Sequence, residues 1–232
     1  MKAKLTLNRP WLHMELPEDM RVLSWAPFGP GYTRARAILW REVRNADLTP
    51  DFDAESWFSG QMAQAAPEGG AVGMLTSRDI GTYHQSYAEV EGITAHCVAT
   101  VGLSNSESVG RRRPYHTADY GTINIGLVTN AALTETAQLE ALSIVVQART
   151  VGVMAANLTL DTGIATGTGT DCVALACRPG AGAYAGLHTA VGEAVGGAVR
   201  ECLTAASAAW VVWRDGERKR RAEAANGAGG GA

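Results

Sequence analysis

Residues 165–171 read Ala-Thr-Gly-Thr-Gly-Thr-Asp and run directly into Cys172–Cys177, where every residue is apolar. A strand with apolar side chains on both faces has to be covered on both faces, so it belongs in the middle of a sheet. That requirement restricts the chain to layered folds in which other elements pack on each side of the sheet. The segment before the strand has the opposite character. Small residues let the backbone approach a neighbour or a ligand closely, and Thr166, Thr168 and Thr170 add three hydroxyls. Asp171 stands at the mouth of the buried strand, where a carboxylate needs a partner or a chemical task.

Two further patches share this chemistry, Gly102-Leu103-Ser104-Asn105 and Gly121-Thr122-Ile123-Asn124. Each lies beside a strand end. Ile93–Val101 alternates, with Ile93, Ala95, Cys97, Ala99 and Val101 on one face and Thr94, His96 and Thr100 on the other. Ile123, Ile125 and Leu127 alternate with Thr122, Asn124 and Gly126, so Thr122 and Asn124 point to one side. Between the two strands, Ser104–Ala118 is polar and reads as a long loop, a length that in compact domains often carries function.

Trp11–Leu16 and Arg21–Ala26 read as two strands of a hairpin turning at Pro17-Glu18-Asp19. Arg36–Val43 and Ala71–Thr76 are further strands. Helices are expected over Asp51–Ala65, capped by Asp51 or Asp53, and from a Thr134 cap to about Ala156. The second helix would bury a stripe of Leu139, Leu142, Val146 and Val153. A third is expected from Leu187 to about Ala208. The expected fold is therefore mixed α/β, a largely buried β-sheet with two or three long helices; an αββα sandwich is the alternative. One domain covers residues 1–213, and the charged, then Gly- and Ala-rich segment 214–232 is expected to be disordered.

Composition narrows the function. The formal net charge is −3, which argues against a nucleic-acid binder. Arg111-Arg112-Arg113 is a local basic cluster, best read as a solvated loop. The four cysteines form no CxxC pair, which suits reduced thiols in a cytoplasmic protein. No apolar run approaches the length of a membrane span. There is no HExxH and no close His pair, so no metal site is expected. The Gly/Thr run lacks the Lys of a phosphate-binding loop and precedes a strand, unlike a dinucleotide fingerprint. No cofactor is expected, and an assembly of identical chains is compatible with the sequence.

The candidate catalytic residues are Asp171, His188, Thr122 and Asn124. Asp171 is placed to act as a base, to orient one, or to hold structure. Thr122, Asn124 and Asn105 can donate to an amide carbonyl and stabilise an oxyanion. His188, four residues before Gly192 and eight before Gly196, reads as the rim of a glycine-lined helix face. Ser104, Asn105, Gly121, Thr166, Gly167, Thr168, Gly169 and Thr170 are the candidate substrate-binding residues.

At these residues the chain resembles the adenosylcobinamide amidohydrolase family of corrinoid salvage. The resemblance rests on Gly121–Asn124, Ala165–Asp171, Val101–Asn105 and Gly186–Gly192, with weaker support from Val22–Ser24 and Gly73–Thr76, in the expected order from about Arg21 to Ala206. It implies hydrolysis of the amide that joins the aminopropanol arm to the corrin ring, with release of adenosylcobyric acid. The cobalt-containing corrinoid is then a small-molecule substrate. A covalent threonine, Thr166, Thr168 or Thr170, is a second enzymatic form, and a corrinoid-binding protein without catalysis is the alternative class. Where the family tends to have Thr-Glu-Ala-Lys, this chain has Val146-Gln147-Ala148-Arg149.

Overall fold

The computed structural model describes residues 1–43, 53–114 and 120–228. The fold is mixed α/β, built on one open eight-stranded sheet. The strands are β1 (Lys4–Asn8), β2 (Trp11–Ser24), β3 (Gly31–Glu42), β4 (Ala71–Thr76), β5 (His84–Val90), β6 (Ile93–Val101), β8 (Ile123–Leu133) and β12 (Cys172–Pro179). They lie in the order β4-β3-β2-β12-β8-β6-β5, with β1 paired to the outer part of β2. Short pairs, β7 (Ser106–Glu107) with β11 (Gly167–Thr168) and β9 (Thr159–Leu160) with β10 (Gly163–Ile164), ornament the loops. The helices among the described residues are α1 (Ala54–Ala65), α2 (Glu135–Met154) and α3 (Ala190–Ala228).

β12 occupies the middle of the sheet, between antiparallel β2 and parallel β8. Val173, Leu175 and Cys177 pack into the core beneath α2 and α3, while Ala174 and Ala176 join a second core on the other face. That division is what a strand apolar on every residue requires. A third, smaller core lies under α1, where Phe58 and Met62 meet Ala37, Leu39 and Ala71. Asp53 caps α1 by accepting from Ser56 N at 3.0 Å; Asp51 falls outside the described residues. Thr134 caps α2 through Ala137 N at 3.1 Å.

The sheet curls until its two halves touch. A methyl group built on Gly126 of β8 would lie 2.5 Å from the Trp40 ring of β3 and 3.2 Å from Met14 of β2. Trp40 is fully buried, and its indole N–H reaches Asn124 O at 3.4 Å. The glycine thus leaves the gap that the largest core side chain fills.

Several local expectations change. Trp11–Ser24 is one strand, not a hairpin: both halves pair with β3, and Pro17–Asp19 sit in an irregularity of the register between Glu15 and Met20. The buried face of α2 is made of Ala137, Ala141, Ile144, Val145, Ala148 and Val153, while Leu139 is 54% exposed. Small residues let α2 lie close to both β12 and α3; of the expected stripe, Val153 is buried and Leu142 packs against the core, while Leu139 faces outward. The segment from Arg214, expected to be disordered, continues α3 to Ala228. Trp210 anchors it in the core, and Lys219–Glu223 and Arg220–Glu217 pair at helical spacing. Residues 229–232 fall outside the described set.

Replacing Gly126 with Ala should cost about 1–3 kcal/mol in urea unfolding, because neither Trp40 nor the strand can give way. Combining it with Trp40→Leu, which reopens the space, should cost less than the sum of the two single changes.

Candidate active site

The three polar patches meet at one edge of the sheet. Parallel pairing sets Cys172 of β12 beside Asn124 of β8, so the segments entering both strands emerge together. β6 runs antiparallel to β8 and delivers Gly102–Asn105 to the same edge. The connections then interlock. Gly102 N donates to Thr122 O at 2.9 Å, and Gly169 N to Asn105 O at 3.3 Å. The loop after β6 pairs with the Gly/Thr run, Ser106 opposite Thr168 and Glu107 opposite Gly167. A side chain on Gly121 would lie 2.8 Å from Gly102 O and 2.9 Å from Ser104 N, so only glycine permits this contact.

Asp171 locks the arrangement. One carboxylate oxygen accepts from Ile123 N at 3.1 Å and from the Thr168 hydroxyl; the other accepts from Thr168 N at 3.0 Å and faces Arg149 Nη1 at 3.0 Å. A carboxylate offers about four lone-pair sites, and all are used. Its side chain is 5% exposed. Burial pushes the carboxyl up from the ordinary aspartate range, while Arg149, the Thr168 hydroxyl and the two backbone N–H groups pull it back. Trp25 Nε1 adds a bond to Asp171 O at 2.6 Å. Such a group orients its neighbours and has no free face for a water molecule.

The other candidates separate clearly. Asn124 is fully buried, and its amide donates to Leu75 O at 2.6 Å. Thr122 Oγ1 lies 2.8 Å from Thr170 O and 3.2 Å from Asn124 Oδ1. Thr166 Oγ1 accepts from Val109 N at 2.8 Å and lies 3.2 Å from Glu107 O. Thr170 donates to Gly121 O at 3.0 Å. These side chains bind loop to loop. Asn105 differs: it is 7% exposed, and its side-chain amide makes no hydrogen bond among the described residues. That amide lies against Gly169, its Nδ2 3.3 Å from where a Cβ would stand.

Two clefts meet at the exposed Thr170. One, of about 590 Å³, is lined by Asn105, Glu107, Arg111, Arg113 and Gly169; the other, of about 350 Å³, by Leu75, Thr76, Tyr120, Gly121, Thr122 and Cys172. Arg111 and Arg113 hold the loop by donating to Thr162 O at 3.2 Å and Ser106 O at 2.8 Å. Residues 115–119 of the long loop fall outside the described set. Ser104 faces a separate cavity of about 580 Å³ beside Trp210 and Trp213.

His188 does not join the site. It precedes α3 in a turn whose Thr189 caps the helix through Gly192 N at 3.0 Å, so it does not share the face of Gly192 and Gly196. The turn follows Gly182, which bridges Leu133 at the opposite end of β8. The eight residues of β12, about 25 Å of strand, separate the two ends. His96 is structural: its Nδ1 accepts from Ala3 N at 3.2 Å, and burial lowers its pKa.

Arg149 has no assigned role in the sequence alone, although its segment marks a departure from the family pattern. Gln147, two residues earlier, lies on another side of α2 and faces a groove against α3. Cys172 is the other addition. Its thiol is pushed up to about 11, by burial first and then by the charge of Asp171. It therefore stays protonated at neutral pH. Among the described residues, no three His, Cys, Asp or Glu side chains group as metal ligands. No helix among them is long and apolar enough to cross a membrane.

A family model for adenosylcobinamide amidohydrolase (CbiZ) matches residues 1–215. The chain belongs to this family. None of the curated proteins searched matches it. Among solved structures, the PH0078 protein from Pyrococcus horikoshii OT3 is similar at 11% identity, over 89% of this chain and 79% of that one, with a TM-score of 0.41. That likeness is too loose to carry an argument. The adenosylcobinamide amidohydrolase match spans all three patches and the α2 segment that brings Arg149 to Asp171.

Asp171→Ala should strand the Arg149 charge and cost about 3 kcal/mol in urea unfolding. The pair Asp171→Ala/Arg149→Ala should cost less than the sum of the single changes. Alkylation of Cys172, followed by peptide mass spectrometry at pH 8, should run on the order of 100-fold slower than at an exposed cysteine and should rise with pH towards 11.

Proposed function

We propose that the chain hydrolyses the amide that links the aminopropanol arm to the corrin ring of adenosylcobinamide. Water adds to the amide carbonyl, the carbon–nitrogen bond breaks, the amine leaves with a proton, and adenosylcobyric acid is released. Family membership supports the reaction class. The observation that carries the site is the amide of Asn105, a residue only 7% exposed, which opens on the wall of a cleft without a hydrogen-bond partner among the described residues. An unpaired N–H donor beside a cleft suits the carbonyl oxygen of an amide and the oxyanion that forms from it.

In this reading Asn105 holds the carbonyl oxygen, and Gly169 lets the substrate lie close to the backbone. Thr170, Gly121 and Thr122 line the junction of the two clefts, which together fall in the range of ligand-sized sites. Asp171 is a positioning residue that fixes Thr168–Thr170 through the four bonds to its carboxylate. A corrinoid is large, flat and edged with amides, and the clefts offer it amide, hydroxyl and backbone groups. The saturated carboxylate of Asp171 favours one second reading, corrinoid binding without turnover.

Incubation with adenosylcobinamide, read by liquid chromatography and mass spectrometry, should yield adenosylcobyric acid. Asn105→Ala should lower kcat about 10²–10³-fold with an unchanged circular dichroism spectrum. A bound corrinoid spectrum with no product would select the binding-only reading, and neither binding nor product would sink both.

A further inference from the structure

On their solvent side, α2 and α3 leave a groove of about 950 Å³. Ile144 and Ala148 form its floor, and Val151, Ala205 and Ala208 its wall. Leu187 stands at one end, 67% exposed, and Val151 is 50% exposed. So much apolar side-chain surface around one groove asks for a cover. The charges on the rim say which. Glu193 and Arg200 lie on the exposed face of α3, on either side of Gly196 and Gly197, and neither makes an ion pair or hydrogen bond through its side chain among the described residues. Seven residues apart, they lie outside the three- and four-residue spacings at which helix side chains pair with each other.

We propose that this groove is the contact between two copies of the chain, with the α3 helices antiparallel about a twofold axis between Gly196 and Gly197. A twofold contact has to be self-complementary. Here residues equally far before and after the axis face each other, so Glu193 meets Arg200 of the partner subunit, and the pair forms twice. Gly196 and Gly197 lie at the crossing, where the absence of side chains lets the helices approach. At a shallow crossing angle, Leu187 of the partner subunit reaches the apolar wall at Val151, Ala205 and Ala208. The same axis thus matches both the charges and the apolar knob. A peptide or an unrelated protein would have to supply that pattern independently. The groove lies on the helix layer, away from the clefts at Thr170, so pairing leaves those clefts open.

Light scattering coupled to size exclusion, supported by sedimentation velocity, tests the contact on the full chain. The mass of two chains is expected at micromolar concentration. Glu193→Arg and Arg200→Glu each set like charges face to face and should raise the dimer Kd at least tenfold. The double variant Glu193→Arg/Arg200→Glu restores opposite charges across the axis and should recover the dimer. Circular dichroism checks that each variant is folded; because both sites are exposed, the fold should be retained. If Glu193→Arg does not fold, Gly197→Leu, which blocks the crossing, replaces it and should give a monomer. A monomeric parent chain at 100 μM, taken here as roughly the upper end of useful affinity, overturns the proposal. So does a dimer that the single changes leave intact, or one that the double change fails to restore.

Discussion

The four donors that converge on the Asp171 carboxylate hold the polar edge of the sheet together. Ile123 N comes from the entry to β8, Thr168 supplies two donors from the Gly/Thr run, and Arg149 reaches in from α2. No two of these three segments are adjacent in the chain. A buried carboxylate is costly unless its lone pairs are filled, and here every one is filled by a group that would otherwise be a loose loop or an unneutralised cation. The same desolvation that penalises the charge makes any misplacement of these loops expensive. The carboxylate therefore ties together the two segments that meet beside Thr170.

Much of that edge could be read from the residues. Asp171 stands out because a charged side chain separates a glycine-rich run from a strand with no polar face. The strand itself identifies the centre of the sheet. Ile93–Val101 is legible from alternation, even though both of its faces are covered, because Thr and His take one face consistently. The ordering of the three polar patches supplied the family resemblance that the match over residues 1–215 supports.

The rest was hidden for physical reasons. The division of labour between Asn105 and Asn124 depends on what lies opposite each amide. One meets Leu75 O from a strand near the other edge of the sheet, and the other meets a cleft. Neither fact is local. Arg149 is an ordinary helix residue until the Gly/Thr run folds against it. Half of the apolar residues on the inward face of α2 are alanines, which carry little hydrophobic signal, so Leu139 drew the expected stripe towards solvent while Leu142 and Val153 lie on the core side. The charged end of α3 has a composition typical of disorder, yet its opposite charges recur at three and four residues and Trp210 holds its base in the core. His188 reads as helical from sequence because the glycines that follow it are helical; Thr189 caps that helix just after it.

The parallel register of β8 and β12 has a kinetic consequence. Two parallel neighbours cannot be joined by a tight turn, so the crossover through α2 and the loops after it has to close when β12 docks on β8. Contacts of such long sequence separation form slowly, because the loop has to close before any pairing rewards it. Asn105, Thr122 and Thr170 reach their places only when that docking is done. Formation of the clefts is thus coupled to that long-range pairing, and a molecule with formed clefts is one in which β12 is already docked on β8.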